Sequence, residues 1–545
     1  MRFAVRNNKL FIAALVLGVV FGGMTFGNLP VTQYTLSVQT IDGETFNFAD
    51  YPVLTHEELA LFNYINELVT GQGYGSWEGW NAGEAFHGLL HYVLAFMAYA
   101  TAEVFETTSG YRSDLYQNFA YSLIKKMNTT VEVYNTTSIQ YTEWMHPSYN
   151  FVDYYWPEAG NASGLYVGGF RGPANIMWTA HYALMMALYE RNFWTGEMND
   201  ELSWFVSDWN NTLTTDGYGN SKDGGIFNCG LIPCEPYIVF VQCNSIPIYC
   251  TVLYDNMFGS GYFESGMWDE GLDFINNDMQ DQYGLFADGY YVMEPFNYTQ
   301  PLPEALPQTF PGLSLDRYIR DGRPKVSSYC NAWSETFLEY VQENETKHDY
   351  PIFMEQFARD VANDQMYMMD SYNNPSGFGV YDMLGTLFTM ALAKQQGDFA
   401  TLARLVNFLY EPYNRVWSAD GRQMYFDTSS FVGFLQVPLA FGYLWAHAPV
   451  NIRDLADSRP SAFWNYPYIS QADDDGIWVY QAVWDNEKNA FILNVRADTA
   501  ATLTFSNFDH VPTAYAGGVS LGALEQVGAQ YTLTLSPGTY NIVIV

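Results

Sequence analysis

Charge is what this chain has least of. Only 15% of its residues are Asp, Glu, Lys or Arg, well below the roughly 25% of ordinary soluble proteins. Positive charge is scarcer still, with 23 Lys and Arg against 59 Asp and Glu and a formal net charge of −36. Phosphate backbones and anionic membrane surfaces are held by Lys/Arg faces, so nucleic acid is excluded as a partner and electrostatic adhesion to acidic lipid is disfavoured. The five cysteines, Cys229, Cys234, Cys243, Cys250 and Cys330, include no C-x-x-C pair, which argues against a zinc site. There is no Walker glycine loop, no G-x-S-x-G elbow and no H-E-x-x-H. The segment DGYGNSKDGG at 216–225 lacks the oxygen spacing of a calcium loop.

What is present is apolar and aromatic. Hydrophobic residues make up 48% and Phe, Trp and Tyr 18% of 545 residues, so the chain is not an acidic disordered one and can bury a large core. Arg2, Arg6 and Lys9 precede an uncharged run over residues 10–27. That pattern reads as a secretory signal, or as an uncleaved signal-anchor that ties the chain to a membrane. Either way the rest of the chain is expected in the secretory pathway, lumenal or extracellular, because the positive flank stays cytoplasmic. Sequons at Asn128, Asn135, Asn161, Asn210, Asn297 and Asn344 are no more than chance supplies. Four cysteines within residues 229–250 leave one or two secreted-type disulfides open, and the odd total leaves at least one thiol.

Four regions follow from texture. Residues 1–27 are the signal or anchor and 28–55 an extended arm with strand-like alternation. From 56 to 455 the pattern is helical, with segments near 56–69, 82–106, 112–127, 175–193, 198–209, 239–258, 267–279, 329–342, 351–363, 378–394, 398–410 and 430–446. About twelve helices in one run predict a mainly α fold, paired helices closing into an α/α toroid. Long loops at 128–174, 210–236 and 281–328 are expected over one end. After the polar break at 470–476, short alternating runs through residue 545 predict a small all-β, sandwich-like domain.

Two segments carry the chemistry, PANIMWTAHYALMMALYE (173–190) and CEPYIVFVQCNSIPIYCTVLYD (234–255). Alone, His181 reads as a satisfied helix histidine, Cys234 and Cys243 as a disulfide, and Tyr92 as core. Together, Asn175, Ile176, Met177 and His181, then Cys234, Glu235, Pro236, Val241, Gln242, Cys243, Asn244 and Ser245, resemble the linalool dehydratase/isomerase family. Weaker agreement lies at NYIN (63–66), HYVLAFMAYA (91–100) and SSYCNAW (327–333), and the C-terminal β region is unaccounted for. The resemblance implies an (α/α)6 barrel and cofactor-free, metal-free acid/base chemistry on a small apolar, isoprenoid-like alcohol or alkene. It implies Cys234 and Cys243 as a thiol pair, His181 as acid/base and Tyr92 as its phenolic partner. Trp178, Glu235, Asn244 and Tyr329 would line the substrate.

One position departs from the family pattern. The family's catalytic aspartate aligns with Asn66, which can position a hydroxyl but cannot accept a proton as a carboxylate does. In the family that residue belongs to a site between neighbouring subunits, so Asn66 bears on both the dehydration step and a homo-oligomer. Glu67 and Glu84 are the nearby carboxylates that could replace it. The aspartates of ADDDG (472–476) do not fit the diphosphate motifs of ionising terpene synthases and read as a solvated turn. Architecture alone supports a rival: a secreted glycoside hydrolase or polysaccharide lyase with an α/α toroid, using carboxylates among Glu78, Glu84, Asp153, Glu158 and Asp382. A non-catalytic scaffold is the third class.

Overall fold

The computed structural model describes residues 36–74, 76, 79–80, 90–129, 176–217, 219–234, 238–291, 319–320, 323–324, 326–361, 364–370, 381–428, 436–473 and 476–545. Among them are twelve α-helices: α1 (His56–Thr70), α2 (Leu90–Thr107), α3 (Asp114–Thr129), α4 (Ile176–Phe193), α5 (Asn199–Thr214), α6 (Val241–Phe258), α7 (Asp269–Asp278), α8 (Ser328–Leu338), α9 (Glu343–Phe357), α10 (Met383–Gln395), α11 (Phe399–Tyr410) and α12 (Gln436–His447). The even-numbered helices pack in a closed ring, α2 on α4, α4 on α6, α6 on α8, α8 on α10, α10 on α12 and α12 back on α2. The odd-numbered helices lie outside, α5 on α4, α9 on α8 and α11 on α10. The fold is a six-hairpin α/α toroid, as the helical run predicts.

Burial separates the two rings. Inner helix α4 is buried at every position from Ile176 to Asn192, as a helix enclosed on all sides must be. Outer helix α11 buries only a stripe, Thr401, Leu405, Leu409 and Tyr410. The first outer helix starts at a capping box in which Thr55 Oγ1 accepts from Glu58 N (3.1 Å) and Thr55 N donates to Glu58 Oε2 (2.6 Å). The helix expected at 351–363 is α9, which begins eight residues earlier and ends at Phe357, where a hairpin of Ala358–Val361 and Gln365–Met368 follows. The buried stripe of α9 is Thr346, Asp349, Phe353 and Phe357, half polar, so no apolar period marks its first turns. Asn81, the expected cap of the 82–106 helix, lies outside the described residues.

Connections are asymmetric. Segments leading from an inner helix to the next outer one are residues 108–113, 194–198, 259–268, 339–342 and 396–398. Segments leading into inner helices are longer: 71–89, 130–175, 215–240, 279–327, 358–382 and 411–435. Long segments therefore gather where inner helices begin, which makes that pole the place to look for function.

The C-terminal strands form two antiparallel sheets. One runs Tyr468–Ala472, Ala501–Ser506, Gln530–Leu535, Glu525–Val527; the other Ile477–Asp485, Ala490–Ala497, Gly538–Ile544, Thr513–Ala516, Val519–Ala523. The arm is not a separate element. Its hairpin, Val38–Ile41 with Glu44–Asn47, packs Ile41, Phe46 and Phe48 on Ala490, Ile492 and Val543 of the second sheet. Gln481 Nε2 donates to the carbonyls of Phe48, Tyr51 and Pro52 at 3.0–3.1 Å. Residues from both ends of the chain thus build the β unit. Among the described residues no helix is long and apolar enough to cross a membrane; residues 10–27 lie outside them.

Candidate active site

The beginnings of inner helices α6 and α8 bring three thiols together. Cys234 Sγ donates to Cys243 Sγ at 2.9 Å, and the two buried cysteines stand as thiols here, not as the disulfide the sequence left open. All five cysteines are buried and none forms a disulfide. Cys330, in the first turn of α8, donates to Gln242 Oε1 at 3.0 Å. Burial first, then the nearby Asp288 carboxylate, pushes its thiol well above the ordinary range, so it is neutral at pH 7. The strand Ile238–Phe240 leads directly into α6 and pairs with Gly289–Tyr291, which anchors this corner.

Asn244 explains how Cys234 reaches Cys243. Its Oδ1 accepts from Ile232 N (2.9 Å) and its Nδ2 donates to the carbonyls of Ile232 and Phe240, both at 3.0 Å. Both amide protons are committed to backbone, so Asn244 clips the loop before Cys234 onto α6.

His181 is fully buried on α4 among rings from two other inner helices. Tyr92 and Phe96 of α2 meet it edge-on at 5.2 and 5.7 Å, and Trp333 of α8 lies at 5.4 Å. Tyr99 OH and His181 Nδ1 are 2.6 Å apart. Burial lowers the imidazole to about 3, so it is neutral across the physiological range. Burial also holds the Tyr99 phenol well above 10, so it keeps its proton. Among the described residues that proton's only acceptor is His181 Nδ1. The opposite arrangement would strand both the phenol proton and the Nε2 lone pair, which is the costlier choice in a buried site. The imidazole proton therefore sits on Nε2. Both Nε2 and the indole Nε1 of neighbouring Trp333 are buried without a hydrogen-bond partner among the described residues. Trp333 stacks on Phe388 of α10 (5.0 Å), and Phe388 meets Trp445 of α12.

The thiols and the imidazole are linked through α8, where Cys330 lies one turn before Trp333. Beside them, Ser328 Oγ donates to Asp382 Oδ2 (3.1 Å) at the start of α10. Burial, then Asp370, raises the Asp382 carboxyl to about 6. No three His, Cys, Asp or Glu among the described residues are placed to hold a metal ion.

Of the expected site residues, Cys234 meets Cys243, and Tyr92 meets His181 by its ring edge while the phenolic hydroxyl at His181 is that of Tyr99. Tyr329 is half-buried beside Cys330 at the start of α8. Trp178 stacks on Tyr182 (4.6 Å), whose ring meets Phe205 of α5, so this pair ties α4 to the outer ring. Asn66 is not brought to the thiols: it sits on outer helix α1 and lines a separate cavity with Arg422 and Trp478. Glu67 lines that cavity too. Glu235, Asn175, Glu78, Glu84, Asp153 and Glu158 lie outside the described residues. Sequence reasoning missed Tyr99 and Trp333. Tyr99 was within reach of it, because Tyr92, Phe96 and Tyr99 recur at helical spacing along one face.

Residues 227–311 match the family model of linalool dehydratase/isomerase. The matched span holds Cys234, Cys243 and all of α6; His181, Tyr92 and Cys330 fall outside it. Among solved structures, a glycoside hydrolase from family 105 of C. acetobutylicum ATCC 824 is 9% identical, with a TM-score of 0.42 over 73% of this chain and 99% of that one. A GH127 beta-L-arabinofuranosidase from Geobacillus stearothermophilus T6 is 11% identical, with a TM-score of 0.32 over 90% of this chain and 75% of that one.

Proposed function

We propose that this protein performs cofactor-free acid/base chemistry on a small isoprenoid-like alcohol or alkene, dehydrating or isomerising it in the manner of the matched family. The observation that carries the reading is the His181 environment: buried, unpartnered Nε2 and Trp333 Nε1 donors inside a cage of rings. A ligand with one oxygen and an otherwise apolar body suits two N–H donors in such a setting. A polyhydroxylated sugar would need many more polar partners.

The steps follow from the residues. The two N–H groups hold the substrate hydroxyl oxygen. Cys243, whose sulfur already accepts from Cys234, delivers its own thiol proton to that oxygen. The C–O bond breaks, water leaves, and the surrounding ring faces stabilise the allylic cation. The Cys243 thiolate, held by the Cys234 S–H, takes a proton from the adjacent carbon, the double bond forms and the thiol is restored. Run backwards, the same steps hydrate an alkene, and delivery to a different carbon isomerises it. The basic-flanked run at residues 10–27 supports a place in the secretory pathway.

The test incubates the purified full chain with monoterpene and sesquiterpene alcohols and follows products by gas chromatography. Cys243→Ala and His181→Ala should each lower turnover at least about 100-fold while retaining cooperative unfolding. Unchanged turnover in both variants would sink the mechanism.

A further inference from the structure

The opposite pole of the toroid holds a second feature, unrelated to the thiols. Where the short connection 108–113 meets the β unit, a cavity of about 130 Å³ is lined by Gly110, Arg112, Arg459, Tyr466, Phe463 and Trp484. That is several times the ~30 Å³ a water occupies in the liquid. In a chain with a net charge of −36, this spot is cationic. Arg112 and Arg459 line the cavity and Arg191 stands behind Arg459, but one carboxylate, Glu106, pairs with Arg191 (2.6 Å) and Arg459 (2.5 Å). Among the described residues Arg112 has no carboxylate partner; its Nη2 donates to Tyr466 O at 2.8 Å. Both cavity-lining guanidinium groups lie over the same ring, Arg459 at 4.2 Å and Arg112 at 4.6 Å from the centroid of Phe463.

Three of the side chains that line this cavity each carry a buried N–H donor without an acceptor among the described residues: Arg112 Nε, Arg459 Nε and Trp484 Nε1. They come from the α2–α3 connection, from the segment joining toroid to sandwich, and from strand Ile477–Asp485. The Arg459 side chain is only 7% exposed, so water does not stand in freely for a partner. Leaving even one buried donor unmet costs about 1–3 kcal/mol, and here three converge with excess positive charge.

We propose that this cavity is a binding site for a small oxyanion of the phosphate or sulfate type. The anion's oxygens accept from Arg112 Nε, Arg459 Nε and Trp484 Nε1, and its charge offsets the two guanidinium groups around Phe463. Burial already pulls both arginines down to about 10, the strain that an anion relieves. Because the donors belong to both the toroid and the β unit, a bound oxyanion clamps the two together.

The test titrates the full chain with inorganic phosphate or sulfate against chloride at matched ionic strength and follows the unfolding temperature. Sulfate also stabilises proteins by exclusion, but that effect grows without saturating. A site gives a saturable rise that follows occupancy. Arg112→Gln and Trp484→Phe, the latter keeping a ring but losing the N–H, should each raise the midpoint concentration at least tenfold. Trp484→Phe keeps the test decisive should Arg112→Gln not fold. A rise equal in chloride, no saturable component, or the same midpoint in Trp484→Phe as in the unmodified chain would overturn the proposal.

Discussion

His181 and Tyr99 act as a unit whose chemistry neither residue shows alone. A lone histidine in water titrates near 6.5 and offers either nitrogen; here burial holds it neutral and the phenol at Nδ1 leaves the proton on Nε2. Tyr99→Phe removes that direction. It should lower turnover about 10- to 100-fold and cost about 1 kcal/mol of stability, measured by steady-state kinetics and urea unfolding. A pH signature follows as well. The folded pKa of about 3 lies below the unfolded 6.5, so the unfolded chain binds a proton first as pH falls. The stability contributed is complete above pH 6.5 and drains away below it. Glu58 and Glu335, raised by burial to about 7 and about 8, act in the opposite sense and lose stability as pH rises. The difference between the unmodified chain and His181→Asn isolates the histidine: its acid loss from pH 6.5 to 5 should be smaller by about 2 kcal/mol, read from urea melts at each pH.

At the scale of elements, the candidate site is made by the starts of inner helices and by the loop that precedes one of them. Asn244 fixes that loop with three buried hydrogen bonds. Asn244→Ala strands the N–H and C=O of Ile232 and the C=O of Phe240. It should cost about 3 kcal/mol or more and free Cys234 from Cys243, seen as faster labelling by a thiol reagent under native conditions. Labelling no faster than in the unmodified chain would show that the loop is held by other means. Much of this layer was legible in advance. Inner helices betray themselves as long apolar segments, and the nine-residue spacing of Cys234 and Cys243 marks a special corner. Outer helix α9 was half hidden because Thr346 and Asp349 occupy core-facing positions. Polar side chains that find partners in the fold leave no hydrophobic period behind them.

At the scale of the molecule, toroid and β unit share a tight seam. Gly110 N donates to Ala482 O and Gly110 O accepts from Ile469 N, both at 2.8 Å. A Cβ at Gly110 would stand 2.7 Å from the Phe491 ring and 2.9 Å from Ala482 O. Gly110→Ala should therefore cost about 1–3 kcal/mol by overpacking, with its effect visible as a lower unfolding midpoint. If the two units unfold separately, the variant should widen the gap between their transitions. The arm adds a second tie across the ends of the chain, since Leu54 N donates to Tyr480 O at 2.8 Å just before α1 begins.

The amino-acid sequence by itself determined the helical run with its β tail and marked the segments around His181 and Cys234–Cys243 that resemble a known family. Those follow from local facts: periodicity and residue types at fixed spacing. The tertiary structure decided what depends on residues distant along the chain. Ring closure placed Tyr99 and Trp333 against His181, and folding joined an arm near residue 40 to strands near residue 490. It also set Arg112, Arg459 and Trp484 around one cavity. Such meetings are products of packing between elements, whose geometry no stretch of sequence carries, and they determine which buried donors have partners and which remain for a ligand.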